Sequence, residues 1–191
     1  MSTSTSPTSN LRMYVNDMVA LEKEILHALA KQCDDERVQA DPDCAALVKQ
    51  IHRATEARLL DLENHAAAIG SETGATIKEA VAGVAGTLAG LYDKVRKHPV
   101  SRMLRDDYTA MSLAATGYSM LHTTALAYRD IPVANVALRH LRDVTPHVME
   151  LSRIIPRVVV RELAEDDNSV DCSVSELAER NTLEAWGDAK S

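Results

Sequence analysis

The chain has 191 residues and a formal net charge of −7, long enough for one domain with a sizeable core and too acidic for nucleic acid, which calls for a basic stripe. Aromatics make up 3% of the residues and Phe is absent, so Ala, Leu and Val must build the interior. That composition favours packed helices over a sheet, whose strands need aromatic and β-branched residues at period two.

Residues 1–10 are rich in Ser and Thr and lack the charged start and apolar run of a signal peptide, which predicts a disordered arm. Leu11, Tyr14, Val15, Met18, Ile25 and Leu29 then recur at helical steps. They predict a first helix from residue 9 or 10 to residue 32, with Asn10 as its cap. Glu22 lies inside this apolar stripe, between Met18 and Ile25. A carboxylate in that position needs a partner or a metal.

Asp41-Pro42 closes a charged loop and opens a second helix, which Gly70 stops after residue 69. Its core face carries Leu47, Ile51, Thr55, Leu62 and Ile69, with Arg58 near the middle and Glu56 and Glu63 toward the flank. A third helix is predicted over residues 75–97, where Ile77, Val81, Val84, Leu88, Leu91 and Val95 alternate in steps of four and three. Gly83, Gly86 and Gly90 beside that seam weaken a helix. They point to close backbone approach, either onto the rest of the bundle or onto a second copy. The most apolar stretch, residues 80–92, is too short to span a bilayer.

A fourth helix over residues 106–128 places Met111, Ala114, Tyr118, Leu121 and Ala125 on one face, with His122 at its edge. Ile131-Pro132 opens a fifth, which turns Val133, Val136, Val144, Val148, Leu151 and Ile155 inward together with His140 and His147. Pro146 predicts a bend near residue 142, and Pro156 a bend or an end. Residues 164–191 read as an acidic, mobile tail with a short helix over residues 175–186. Three cysteines without an export signal predict reduced thiols and a cytoplasmic protein, with a Cys33–Cys44 disulfide as the rival.

Two readings of the inward polar groups follow. In the first, Glu22 and Arg58 form a structural core pair, the histidines are hydrogen-bonded core residues, and no cofactor is expected. In the second, Glu22, His122, His140 and His147 bind iron or another divalent transition metal, for which imidazoles and a carboxylate are suitable ligands. Arg58 opposes the second, because a permanent cation repels a divalent ion. Glu24 and His27 form a Glu-x-x-His pair, but on the solvent side of the first helix. The chain has no glycine-rich phosphate loop, Cys-x-x-Cys pair or nucleophile elbow.

The run Tyr-Val-Asn-Asp-Met-Val-Ala-Leu-Glu-Lys-Glu-Ile-Leu-His-Ala-Leu, residues 14–29, resembles the opening helix of the bacterial ferritin-like stress proteins of the YciE/YciF-like family. Residues 52–63 are similar to that family's second helix, and the order of helices also fits over residues 11–163. The resemblance implies an all-α, ferritin-like four-helix antiparallel bundle with an additional inserted helix. It also implies a di-metal site, whose first carboxylate is matched by Glu22. Where the family carries a Glu and a His one turn apart, this chain has Ala54 and Arg58. Residues 116–121 hold no carboxylate, Asp143 and Glu150 lie toward the flank, and His147 takes a ligand-like position. The expectation is a non-catalytic, stress-associated homo-oligomer whose di-metal site is replaced by an internal Glu22–Arg58 pair. The rival is a metal-binding or di-iron oxidase-type protein.

Overall fold

Every regular element among residues 7–70 and 99–187, the part of the chain that the computed structural model describes, is a helix. The helices are α1 (Pro7–Cys33), α2 (Glu36–Gln39), α3 (Pro42–Ala68), α4 (Pro99–Ala127), α5 (Ile131–Asp166) and α6 (Val174–Ala185). The helix expected over residues 75–97, with its three glycines, lies outside the described residues.

Local chemistry sets most of the boundaries. The Asp41 carboxylate accepts from the amides of Asp43 and Cys44, both at 3.0 Å, and Pro42 follows in the first turn, so α3 begins there. Gly70 ends it with a φ of 66°, in the left-handed region open to glycine. Asp130 accepts from the Val133 amide at 3.1 Å and starts α5. The charged loop before α3 holds one unexpected turn, α2, capped by Asp35 and pinned by the buried Val38.

Three boundaries differ from the expectation. α1 begins at Pro7, so Asn10 lies inside the helix rather than capping it. α4 starts at Pro99, seven residues early, because its first amides are capped from another helix: Val100 and Ser101 donate to the Glu162 carboxylate at 2.8 and 3.1 Å. α5 does not end at Pro156; it continues past both internal prolines to Asp166. Each proline removes one backbone donor, and the buried stripe of Val144, His147, Leu151 and Val158 holds the helix in place around them.

The four long helices close into a square. α1 packs on α3 and α4, and α5 packs on the same two. Contacts give the directions: Arg12 meets Ile69, Gln32 meets Asp107, Asp61 meets His140, and Val100 meets Glu162. Each neighbouring pair is therefore antiparallel, and α3 ends where α1 begins, at the opposite end of the square from the start of α4. The core between them is aliphatic, with Val15, Ile25, Leu29, Ile51, Leu62, Met111, Leu121 and Leu151 all buried. Full burial of each such side chain contributes roughly 1.5–3 kcal/mol. Gly117 lets the Met18 thioether lie against the backbone of α4, where a β-carbon would collide with it.

The segment read as a mobile tail carries α6, which packs on α5. Trp186 at its end lies 6.1 Å from the Tyr108 ring, tilted by 57°, and stays 57% exposed. No described helix is long and apolar enough to cross a membrane.

Candidate functional site: a buried polar cluster

α1, α3, α4 and α5 each send polar side chains to one level of the core. Glu22 from α1 is fully buried. Its Oε1 accepts from the Tyr118 hydroxyl at 2.5 Å and from Arg58 Nε at 2.8 Å, and its Oε2 accepts from Arg58 Nη2 at 3.2 Å. Arg58 from α3 also donates through Nη2 to the Thr55 hydroxyl at 2.8 Å and through Nη1 to Asp143 of α5 at 2.7 Å. The fork of the guanidinium thus meets two carboxylates and a hydroxyl. A planar fork with fixed donors suits that task where an ammonium would not.

Charge at the cluster is fixed by its surroundings. Burial tends to lower the Arg58 pKa, but the charge and hydrogen bonds of Glu22, with Tyr118 and Asp143, together outweigh it and the net direction is up, so the guanidinium stays charged. Burial and the neighbouring Glu22 carboxylate push the Tyr118 phenol well above its ordinary range, which keeps it a donor. Asp143, 45% exposed, gives the buried cation a partner on the solvent side.

His140 adjoins this cluster without bonding to it. Its ring stands edge-on to Tyr118, with centroids 5.2 Å apart and an interplanar angle of 82°. Its Nε2 lies 2.9 Å from an Asp61 oxygen, and Asp61 is also paired with Arg139. Burial opposes the charged form of Asp61, but the bonds from Arg139 and His140 hold its carboxyl below the ordinary range. Burial likewise depresses the His140 imidazole, with Asp61 pulling the other way. The Nδ1 of His140 is buried and has no hydrogen-bond partner.

The remaining histidines go elsewhere. His122 donates from Nδ1 to the Ala134 carbonyl at 2.8 Å. His147 reaches Glu150 at 3.2 Å, and Glu150 also accepts from Gln50 at 3.3 Å. Glu22, His122, His140 and His147 therefore each have a different main partner, and among the described residues no three His, Cys, Asp or Glu gather as a metal-holding group. The donor set at the centre does not suit a divalent ion, because Arg58 engages both Glu22 oxygens and is itself a cation. The thiols of Cys33, Cys44 and Cys172 are free, and burial pushes Cys44 up to about 11.

Glu22 and Arg58 are brought together as their core positions predicted. Tyr118, Thr55 and Asp143 complete the cluster, and Asp61 stands beside it as the partner of His140; none of the four was singled out by the sequence pattern. One signal was available: a tyrosine on an otherwise apolar helix face needs a partner for its hydroxyl. No family model matches this chain, and neither does any curated protein or solved structure.

Proposed function

We propose that this chain is a non-catalytic, ferritin-like bundle protein, stress-associated and self-associating, in which a Glu22–Arg58 pair stands in place of a di-metal site. The observation that carries the reading is the bidentate grip of Arg58 on Glu22 at 2.8 and 3.2 Å, with Tyr118 as the third donor. A carboxylate so engaged has exchanged a metal for a permanent organic cation. The order of helices lends support. α3 ends and α4 begins at opposite ends of the square, the relation that the second and third long helices have in ferritin-like folds. The stress association rests on the sequence resemblance of the first two helices.

Elemental analysis of protein purified without chelator tests this. Transition metal far below one equivalent per chain is expected; one or two equivalents that survive gel filtration would overturn the reading. Light scattering tests the assembly, and a chain monomeric at high concentration removes that part. One observation favours the rival, metal-binding reading: the unpartnered, buried Nδ1 of His140 is a free imidazole lone pair or N–H in the core. The same metal analysis decides between the two.

A further inference from the structure

Residues 108–128 contain no Asp, Glu, Lys or Arg, although 26% of the chain is charged. They make up most of α4. The outermost row of that helix is Thr109, Leu113, Thr116, Met120, Thr123 and Ala127, all exposed, Leu113 by 41% and Met120 by 48%. The steps alternate four and three, so the row is a heptad seam on the outside of the bundle. The other long helices present charge outward: Asp17 and Lys31 on α1, Lys49 and Glu56 on α3, Arg139 and Arg142 on α5.

The three threonines are already satisfied within the helix. Thr109 donates to the Arg105 carbonyl at 3.0 Å, Thr116 to Ser112 at 3.0 Å, and Thr123 to Ser119 at 2.9 Å. Covering them strips no hydroxyl of its hydrogen bond, so they offer methyl groups to whatever packs on them.

We propose that this seam is the docking surface for a second copy of the chain, the two α4 helices packing antiparallel about a two-fold axis. The proposal rests on the self-association put forward above and names its surface. Each copy carries a net charge of −7, so the face without charge is the one through which two copies meet with least repulsion, since it brings no like charges into contact. Antiparallel pairing about the middle of the seam sets Leu113 against the partner's Thr123 and Met120 against the partner's Thr116. A large residue then meets a small one at the four central steps, with Thr109 opposite the partner's Ala127 at either end, and both copies use the same patch, as a two-fold contact requires. The seam is about 27 Å long, which makes the contact modest in area and the dimer reversible.

Sedimentation velocity on the full chain over a roughly hundredfold concentration range tests this. The native chain should pass from monomer to dimer. Met120→Glu should stay monomeric with native helical circular dichroism, whereas Leu60→Glu, at an apolar residue 62% exposed on α3, should dimerise like the native chain. If Met120→Glu still dimerises, the surface is wrong and self-association stands; if the native chain is monomeric throughout, both fail. Loss of helicity in Met120→Glu without change of mass would mean that residues 71–98 of the same chain cover the seam, and would also overturn the proposal. A second arm mixes Thr116→Cys with Met120→Cys chains, each carrying Cys172→Ser. Oxidation should join unlike chains in preference to like ones, and the absence of that preference contradicts the antiparallel pairing.

Discussion

Arg58→Ala leaves the Glu22 carboxylate buried with Tyr118 as its one remaining donor and no cation. Its expected cost is about 3–5 kcal/mol, because an uncompensated charge stays in the core. Glu22→Gln combined with Arg58→Met removes charge from both sides and should be milder than Arg58→Ala alone. A double-mutant cycle in urea reads the coupling, and small additive losses would mean that the pair does not meet in solution. His140 makes the fold sensitive to acid. Its ordinary pKa of 6.5 is depressed in the folded state by burial. As pH falls through 6.5 the unfolded chain binds the proton first, so stability supplied by the neutral ring is complete above that value. It is lost as pH drops toward the lower, folded value, and Asp61, also depressed, loses its share further down in the same direction. Melting temperatures taken from about pH 8 to about pH 5 should fall, and His140→Gln should flatten the slope. Equal slopes in the two proteins would remove His140 from the account.

The helix ends show which boundaries a sequence can announce. Asp41-Pro42 with Gly70, and Asp130 before Ile131-Pro132, are local signals, and α3 and α5 start where those residues stand. The start of α4 was hidden because its cap, Glu162, lies 62 residues from Val100 and belongs to another helix. Asp106 and Asp107 resemble first-turn acids, yet both are buried inside α4, and Gln32 donates to Asp107 at 2.8 Å. The same distinction governs the cluster. Glu22 and Arg58 were legible because each breaks an apolar stripe, whereas Asp61 and Asp143 sit on a flank and gain their roles only once α3 and α5 are side by side. The remote cap is testable. Glu162→Ala should cost about 1–2 kcal/mol and fray the first turn of α4, with Glu162→Gln falling between it and the native chain. Amide exchange at Val100 and Ser101 reads the fraying directly, and unchanged protection would show that the carboxylate does not cap.

At the scale of the molecule, α1 with α3 and α4 with α5 are two antiparallel pairs of helices, the second closed by a tight turn in which Arg129 takes a φ of 59°. Tyr118 reaching Glu22 and Asp143 reaching Arg58 both tie one pair to the other. This arrangement bears on the order of events in folding. Contacts within each pair close short loops and form early, while contacts between the pairs wait for the two to dock. Side chains of the cluster should therefore have low φ-values. In a chevron experiment Tyr118→Phe should speed unfolding severalfold and leave refolding nearly unchanged. Asp130→Ala, at the turn that closes the second pair, should slow refolding instead. A Tyr118→Phe chain that refolds slowly and unfolds at the native rate would place the cluster in the nucleus. Otherwise the buried cluster is a latch set after the bundle has closed, governing how long the native state persists rather than how quickly it is reached.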